Sequence, residues 1–153
     1  IGSKSTLKDL EKWVNTLIET NDWGVGMTHG LTYGYDAFRN PQRLWDHLDQ
    51  VKARENEIWV GTFREVASYI KEREETKLEV VNKKNTLLIA PELKLDQELF
   101  VEPLTMVITG KEIKKVTVKQ GKRRLPVQIT DDKVLFDFDP YGGMIKVTLK
   151  IQK

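Results

Sequence analysis

The stretch IWVGTFREVASYIKEREETKLEVV, Ile58 to Val81, carries the chain from one kind of structure to another. Ile58-Trp59-Val60-Gly61 is a short apolar run of strand type. Thr62 and Glu65 stand at the spacing of a capping box, in which hydroxyl and carboxylate satisfy each other's backbone amides, so a helix is predicted from Phe63. Phe63, Val66, Ala67 and Ile70 recur at helical spacing and are expected to face a core. Lys71-Glu72-Arg73-Glu74-Glu75 reads as a solvated last turn. Beyond Thr76 no helical period continues, and Leu78-Glu79-Val80-Val81 opens a series of β-type runs. Two domains are therefore expected, residues 1–76 and residues 77–153.

Upstream of this stretch, Leu7, Leu10, Val14, Leu17 and Ile18 form a helical stripe, with Thr6 and Asp9 as its N-terminal cap. Trp23-Gly24-Val25-Gly26-Met27-Thr28 is a second strand-like run whose glycines suit close packing, and His29 falls at its end. Gly30 to Arg39, with Gly and Tyr repeated, has loop chemistry. Asn40-Pro41 then opens another helix as N-cap and first-turn proline, with Leu44, Leu48 and Val51 as its buried stripe. Helix, strand, helix, strand, helix is the pattern of an α/β unit with parallel strands. Two parallel strands leave both edges unpaired, so missing sequence or another chain is expected to cover the open sheet edge.

Downstream, the runs at Leu78–Val81, Leu87–Ala90, Leu104–Ile108, Ile113–Lys119, Leu125–Ile129, Val134–Phe138 and Met144–Ile151 predict about seven strands. Gly110-Lys111, Gln120-Gly121, Asp131-Asp132 and Asp139-Pro140-Tyr141-Gly142-Gly143 are the turns between them. Apolar and polar residues alternate from Met144 to Ile151, which puts one face inward and one in water. The fold class expected is α/β plus all-β, ending in a small antiparallel β-sandwich.

The 25 basic and 23 acidic residues are interspersed, giving a net charge of +2, so no field for nucleic acid or a membrane surface follows. No apolar run approaches the ~20 residues of a membrane span. Without cysteine there is no disulfide framework and no thiolate zinc site, and the compartment stays open. The start, Ile1-Gly2-Ser3, is neither an initiator Met nor a signal peptide, and a chain cut from something longer or a tag remnant at Gly2-Ser3 is expected.

In parallel α/β proteins functional groups gather at the C-terminal ends of strands. His29 sits at such an end, where an imidazole is able to act as general acid or base, or is held by local hydrogen bonds. Tyr33 and Tyr35, in the loop beside it, are candidates for stacking on a sugar ring. His47, flanked by Asp46 and Asp49, reads as a solvated helix residue. Asp131-Asp132 is read as a hairpin turn in preference to a calcium site. Two distant histidines and scattered carboxylates give no recognisable metal-ligand spacing, so no metal site is expected within this chain.

The block WGVGMTHG, with the later segment FRNPQRLWDHLDQVKARENEIWVGTFREVASYIKERE, resembles the closing part of polysaccharide deacetylases, which fold as distorted (β/α) barrels. Met27-Thr28-His29 is similar to the family's short hydrophobic-x-His motif. Trp59, Thr62, Glu65 and Tyr69 loosely follow its last strand and helix. The likeness covers about the first half of the chain, and a β-domain after it is similar to bacterial members. It implies C-terminal βα units of an incomplete barrel and hydrolysis of an N- or O-acetyl group on an acetylated polysaccharide or oligosaccharide. A divalent, zinc-like metal is then the cofactor of the complete enzyme, His29 is the general acid, and the cell envelope or exterior is the location. The family's early Asp-Asp, His-x-x-x-His, Arg and Trp motifs have no counterpart here, so the chain alone is expected to be inactive. The competing expectation is a non-catalytic carbohydrate-binding or assembly module; a third is an unrelated α/β protein.

Overall fold

Capping chemistry and two-residue alternation account for most of what this chain builds. The computed structural model describes residues 1–110, 113–130 and 132–151. It divides into two units, Ile1–Phe63 and Arg64–Lys153.

In the first unit, α1 spans Leu7–Thr20 and α2 spans Gln42–Lys52. The Thr6 hydroxyl accepts from Asp9 N–H at 3.2 Å, and the Asp9 carboxylate accepts from Thr6 N–H at 3.0 Å. This reciprocal box, of the kind expected, contributes about 1 kcal/mol to starting α1. The helix stops at Asn21, whose φ of 54° is tolerated by asparagine as a left-handed cap. At α2 the Asn40 carboxamide accepts from Gln42 N–H at 3.0 Å, and Pro41 leads into the first turn. The buried residues of this unit are few: Gly2, Leu10, Val14, Ala37, Phe38 and His47.

The buried face of α2 differs from the expected one. His47 is 5% exposed, whereas Leu48 is 44% exposed. The inward stripe runs through Leu44, His47 and Val51, and the imidazole takes a position that apolar counting assigned to leucine.

The runs Trp23–Thr28 and Ile58–Gly61 do not join a ladder among the described residues. Trp23, Val25 and Met27 are 41%, 57% and 67% exposed. A strand is completed by its neighbours, and no described residue pairs as a strand with either run. Gly24 does make the close approach expected of it, but to a helix. A Cβ there would collide with the Leu17 side chain of α1.

The second unit takes all of α3, Phe63–Glu75, after its first residue, followed by eight strands. These are β1 Lys77–Lys83, β2 Thr86–Glu92, β3 Leu104–Thr109, β4 Ile113–Gln120, β5 Arg123–Leu125, β6 Gln128–Ile129, β7 Lys133–Phe138 and β8 Ile145–Ile151. They form a five-stranded sheet in the order β1-β2-β8-β4-β5 and a three-stranded sheet in the order β3-β7-β6, antiparallel throughout. The expected run Leu125–Ile129 is two strands. Pro126 has no N–H to give a ladder, so β5 ends there on β4 and β6 resumes on β7 in the other sheet.

Alternation decides the core. Val134, Phe136 and Phe138 of β7 and Ile145 and Val147 of β8 turn inward, and with Ile89, Leu104, Val116, Val118 and Leu125 they form one buried cluster drawn from both sheets. Each such side chain contributes about 1.5–3 kcal/mol on burial. Gly121 at φ 54° and Gly143 at φ 76° take the backbone conformations that two turns require. The expected turns at Gly110-Lys111 and Asp131-Asp132 each include one residue, Lys111 and Asp131, outside the described residues. Mixed helix and antiparallel sheet is the architecture, and no described helix is long and apolar enough to cross a membrane.

Candidate functional site

His29, Tyr33 and Tyr35 all lie in the loop that connects the Trp23–Thr28 run to α2, and its base is fastened at several points. Phe38 N–H donates to Gly30 O at 3.3 Å, and the Thr28 hydroxyl donates to Gly30 O at 3.1 Å. Ala37 and Phe38 are fully buried and plug the loop's far end. Asp36 accepts from the Ser3 hydroxyl at 2.6 Å and from Ser3 N–H at 3.1 Å, and these bonds hold its carboxyl below the usual carboxylate range. Gly34, at φ 115°, takes a turn that a side chain would strain.

The tip is open. His29 is exposed, and its ring centroid lies 5.5 Å from that of Tyr35 at 73°, an edge-to-face contact. Tyr33 and Tyr35 are 85% and 83% exposed. Two of the three expected residues are therefore in ring contact, and the third shows its face to solvent two residues away. The arrangement presents an imidazole able to exchange a proton, with aromatic faces on which a sugar ring stacks.

Among the described residues no group of three or more His, Cys, Asp or Glu is placed to hold a metal ion.

Two titratable side chains read as solvated are buried instead. His47 lies under the α1–α2 contact, 6.5 Å from the Trp13 ring, in a groove of about 250 Å³ lined by Glu11, Val14, Gln50, Val51 and Arg54. Its Nδ1 has no hydrogen-bond partner among the described residues, and burial pushes the imidazole below its ordinary value. Glu72 is fully buried, although it sits in the Lys71–Glu75 run expected to be solvated. One carboxylate oxygen accepts from Glu102 N–H at 3.1 Å; the other has no partner among the described residues. Burial first, then the charges of Glu102 and Asp139, push this carboxyl up.

Nearby, the Tyr141 hydroxyl donates to Leu95 O at 3.2 Å, and burial, with the charge of Glu72 next, pushes this hydroxyl above its ordinary value as well. The signal for Glu72 was its spacing from Ser68 and Tyr69, which turns it toward the sheets. A run of charges concealed it. No protein-family model, no curated protein and no solved structure matches this chain.

Proposed function

We propose that residues 1–76 are the general-acid side of a metal-dependent polysaccharide deacetylase, formed by C-terminal βα units of an incomplete β/α barrel, with a β-sandwich appended. The observation that carries the reading is the exposed His29 imidazole, braced edge-on by Tyr35 beside a second open tyrosine. Tyr33 and Tyr35 would hold the sugar by its apolar face. As the acetyl C–N or C–O bond breaks, the protonated imidazole gives its proton to the leaving nitrogen or oxygen.

The exposed alternation of Trp23, Val25 and Met27, ending at Thr28-His29, supports a strand that takes its neighbours from elsewhere. The metal and the base would come from that same missing part.

The test is acetate release from an acetylated oligosaccharide by the chain alone and by the chain joined to the sequence that precedes it in its gene. The chain alone is expected to be inactive, and the longer protein active only with a divalent metal. His29→Ala should lower kcat by roughly 10²–10⁴-fold with oligosaccharide binding retained. Metal-dependent turnover unchanged by His29→Ala would remove the proposal. Oligosaccharide binding confined to residues 77–153, with no acetate released by the longer protein, would establish the carbohydrate-binding module instead.

A further inference from the structure

β1 forms one edge of the five-stranded sheet and is paired with β2 along its whole length, from Lys77↔Glu92 to Lys83↔Thr86, without a bulge. All seven of its residues are nevertheless exposed. Leu78 and Val80 lie on one face and Val81 on the other, at 43%, 56% and 51% exposure. An edge strand is ordinarily guarded by proline, a bulge, short length or charges at its centre. From Leu78 to Asn82 this one carries a single charge, Glu79, and its lysines stand at the ends.

We propose that this edge pairs with β1 of a second copy of the chain, antiparallel about a two-fold axis centred on Val81. The choice of partner and register follows from hydrogen-bond parity and charge. Outward-facing amides alternate along a strand, so a two-fold antiparallel pairing must centre on a residue. Centring on Glu79 sets the two Glu79 carboxylates against each other, and centring on Val80 sets Lys77 against Lys83 of the second copy twice. Centring on Val81 sets Glu79 against Lys83 of the second copy twice, Val80 against Asn82, and Val81 against Val81. Of these registers it alone has opposite charges facing with no like pair. The lysine that would guard the edge against strangers then selects its own kind.

Within one copy the cross-strand neighbours of Glu79 and Lys83 are Ala90 and Thr86, so reversing either charge breaks no cross-strand ion pair inside the fold. Sedimentation equilibrium over a concentration series should show a reversible monomer–dimer association. Glu79→Lys and Lys83→Glu should each weaken it roughly tenfold, because two attractive pairs become two repulsive ones. The double variant, E79K with K83E, should restore it. A chain that stays monomeric throughout the series, single reversals without effect, or a double variant no tighter than the singles would each overturn the proposal.

Discussion

Glu72→Gln should stabilise the second unit, and more so as pH rises. In the native chain the Glu72 side chain is fully buried, faces Glu102 and Asp139, and keeps one oxygen without a partner. Glutamine retains an oxygen for Glu102 N–H and removes the charge. An unsatisfied buried acceptor costs about 1–3 kcal/mol, and a glutamine N–H₂ in the same place recovers only part of that. A gain of about 1–2 kcal/mol is expected near neutral pH, or roughly 5–10 °C in Tm for a unit of this size.

The sign follows from the raised carboxyl. Below the ordinary glutamate value both states are protonated and burial costs nothing extra; as pH rises through the folded-state value, the native chain loses stability that the glutamine variant keeps. All four tryptophans, Trp13, Trp23, Trp45 and Trp59, lie in the first unit, so far-UV circular dichroism of the strands follows the second unit while tryptophan fluorescence follows the first. Glu72→Met supplies the contrast, since it removes the acceptor and strands Glu102 N–H, and should destabilise. A glutamine variant less stable at neutral pH, or one whose advantage is the same at pH 4 as at pH 7, would refute the reasoning.

Gln120 is buried and ties down the turn before β8, its amide donating to Asp139 O at 2.6 Å and Gly143 O at 3.2 Å while its oxygen accepts from Asp139 N–H at 3.1 Å. Gln120→Ala should cost about 2–4 kcal/mol in the strand-reported melt; a loss below about 1 kcal/mol would mean the turn holds itself. His47→Leu should remove the acid sensitivity of the tryptophan-reported transition. The buried imidazole favours its neutral form, so its stabilisation is present above the ordinary histidine value and is lost as pH falls through the lowered folded-state value. A leucine variant that still loses stability between about pH 7 and pH 5 would assign the effect to another group.

The parts of this fold that were legible in the sequence are those fixed by short-range chemistry. The Thr6–Asp9 box starts α1 because four residues suffice to make it. The alternation from Met144 onward placed β8, since a period of two needs only an inside and an outside. Pro126 marks a limit of that reading, since the run Leu125–Ile129 reads as one strand and the chain changes sheet there.

What was not legible depends on partners. Trp23–Thr28 has strand composition but joins no ladder among the described residues, so composition alone did not decide its conformation. His47 and Glu72 were set aside because polar residues are mostly exposed, yet their helical positions pointed inward. His29 and Tyr35 meet through a loop whose path depends on Gly34 and the Ala37-Phe38 plug, which no periodicity reports.

His29 and His47 share the first unit, and their demands on pH oppose each other. In the proposed reaction His29 must carry the proton that it donates, which acidification favours. His47 must stay neutral in its buried place, so the same acidification loosens the unit that holds the loop. An acid-side fall in the proposed activity would then report the stability of α1 against α2 rather than chemistry at the loop. His47→Leu separates the two in any longer chain that shows the proposed activity. If His47 limits it, the acid limb moves to lower pH. An acid limb unmoved by His47→Leu would instead locate it in groups that touch the substrate.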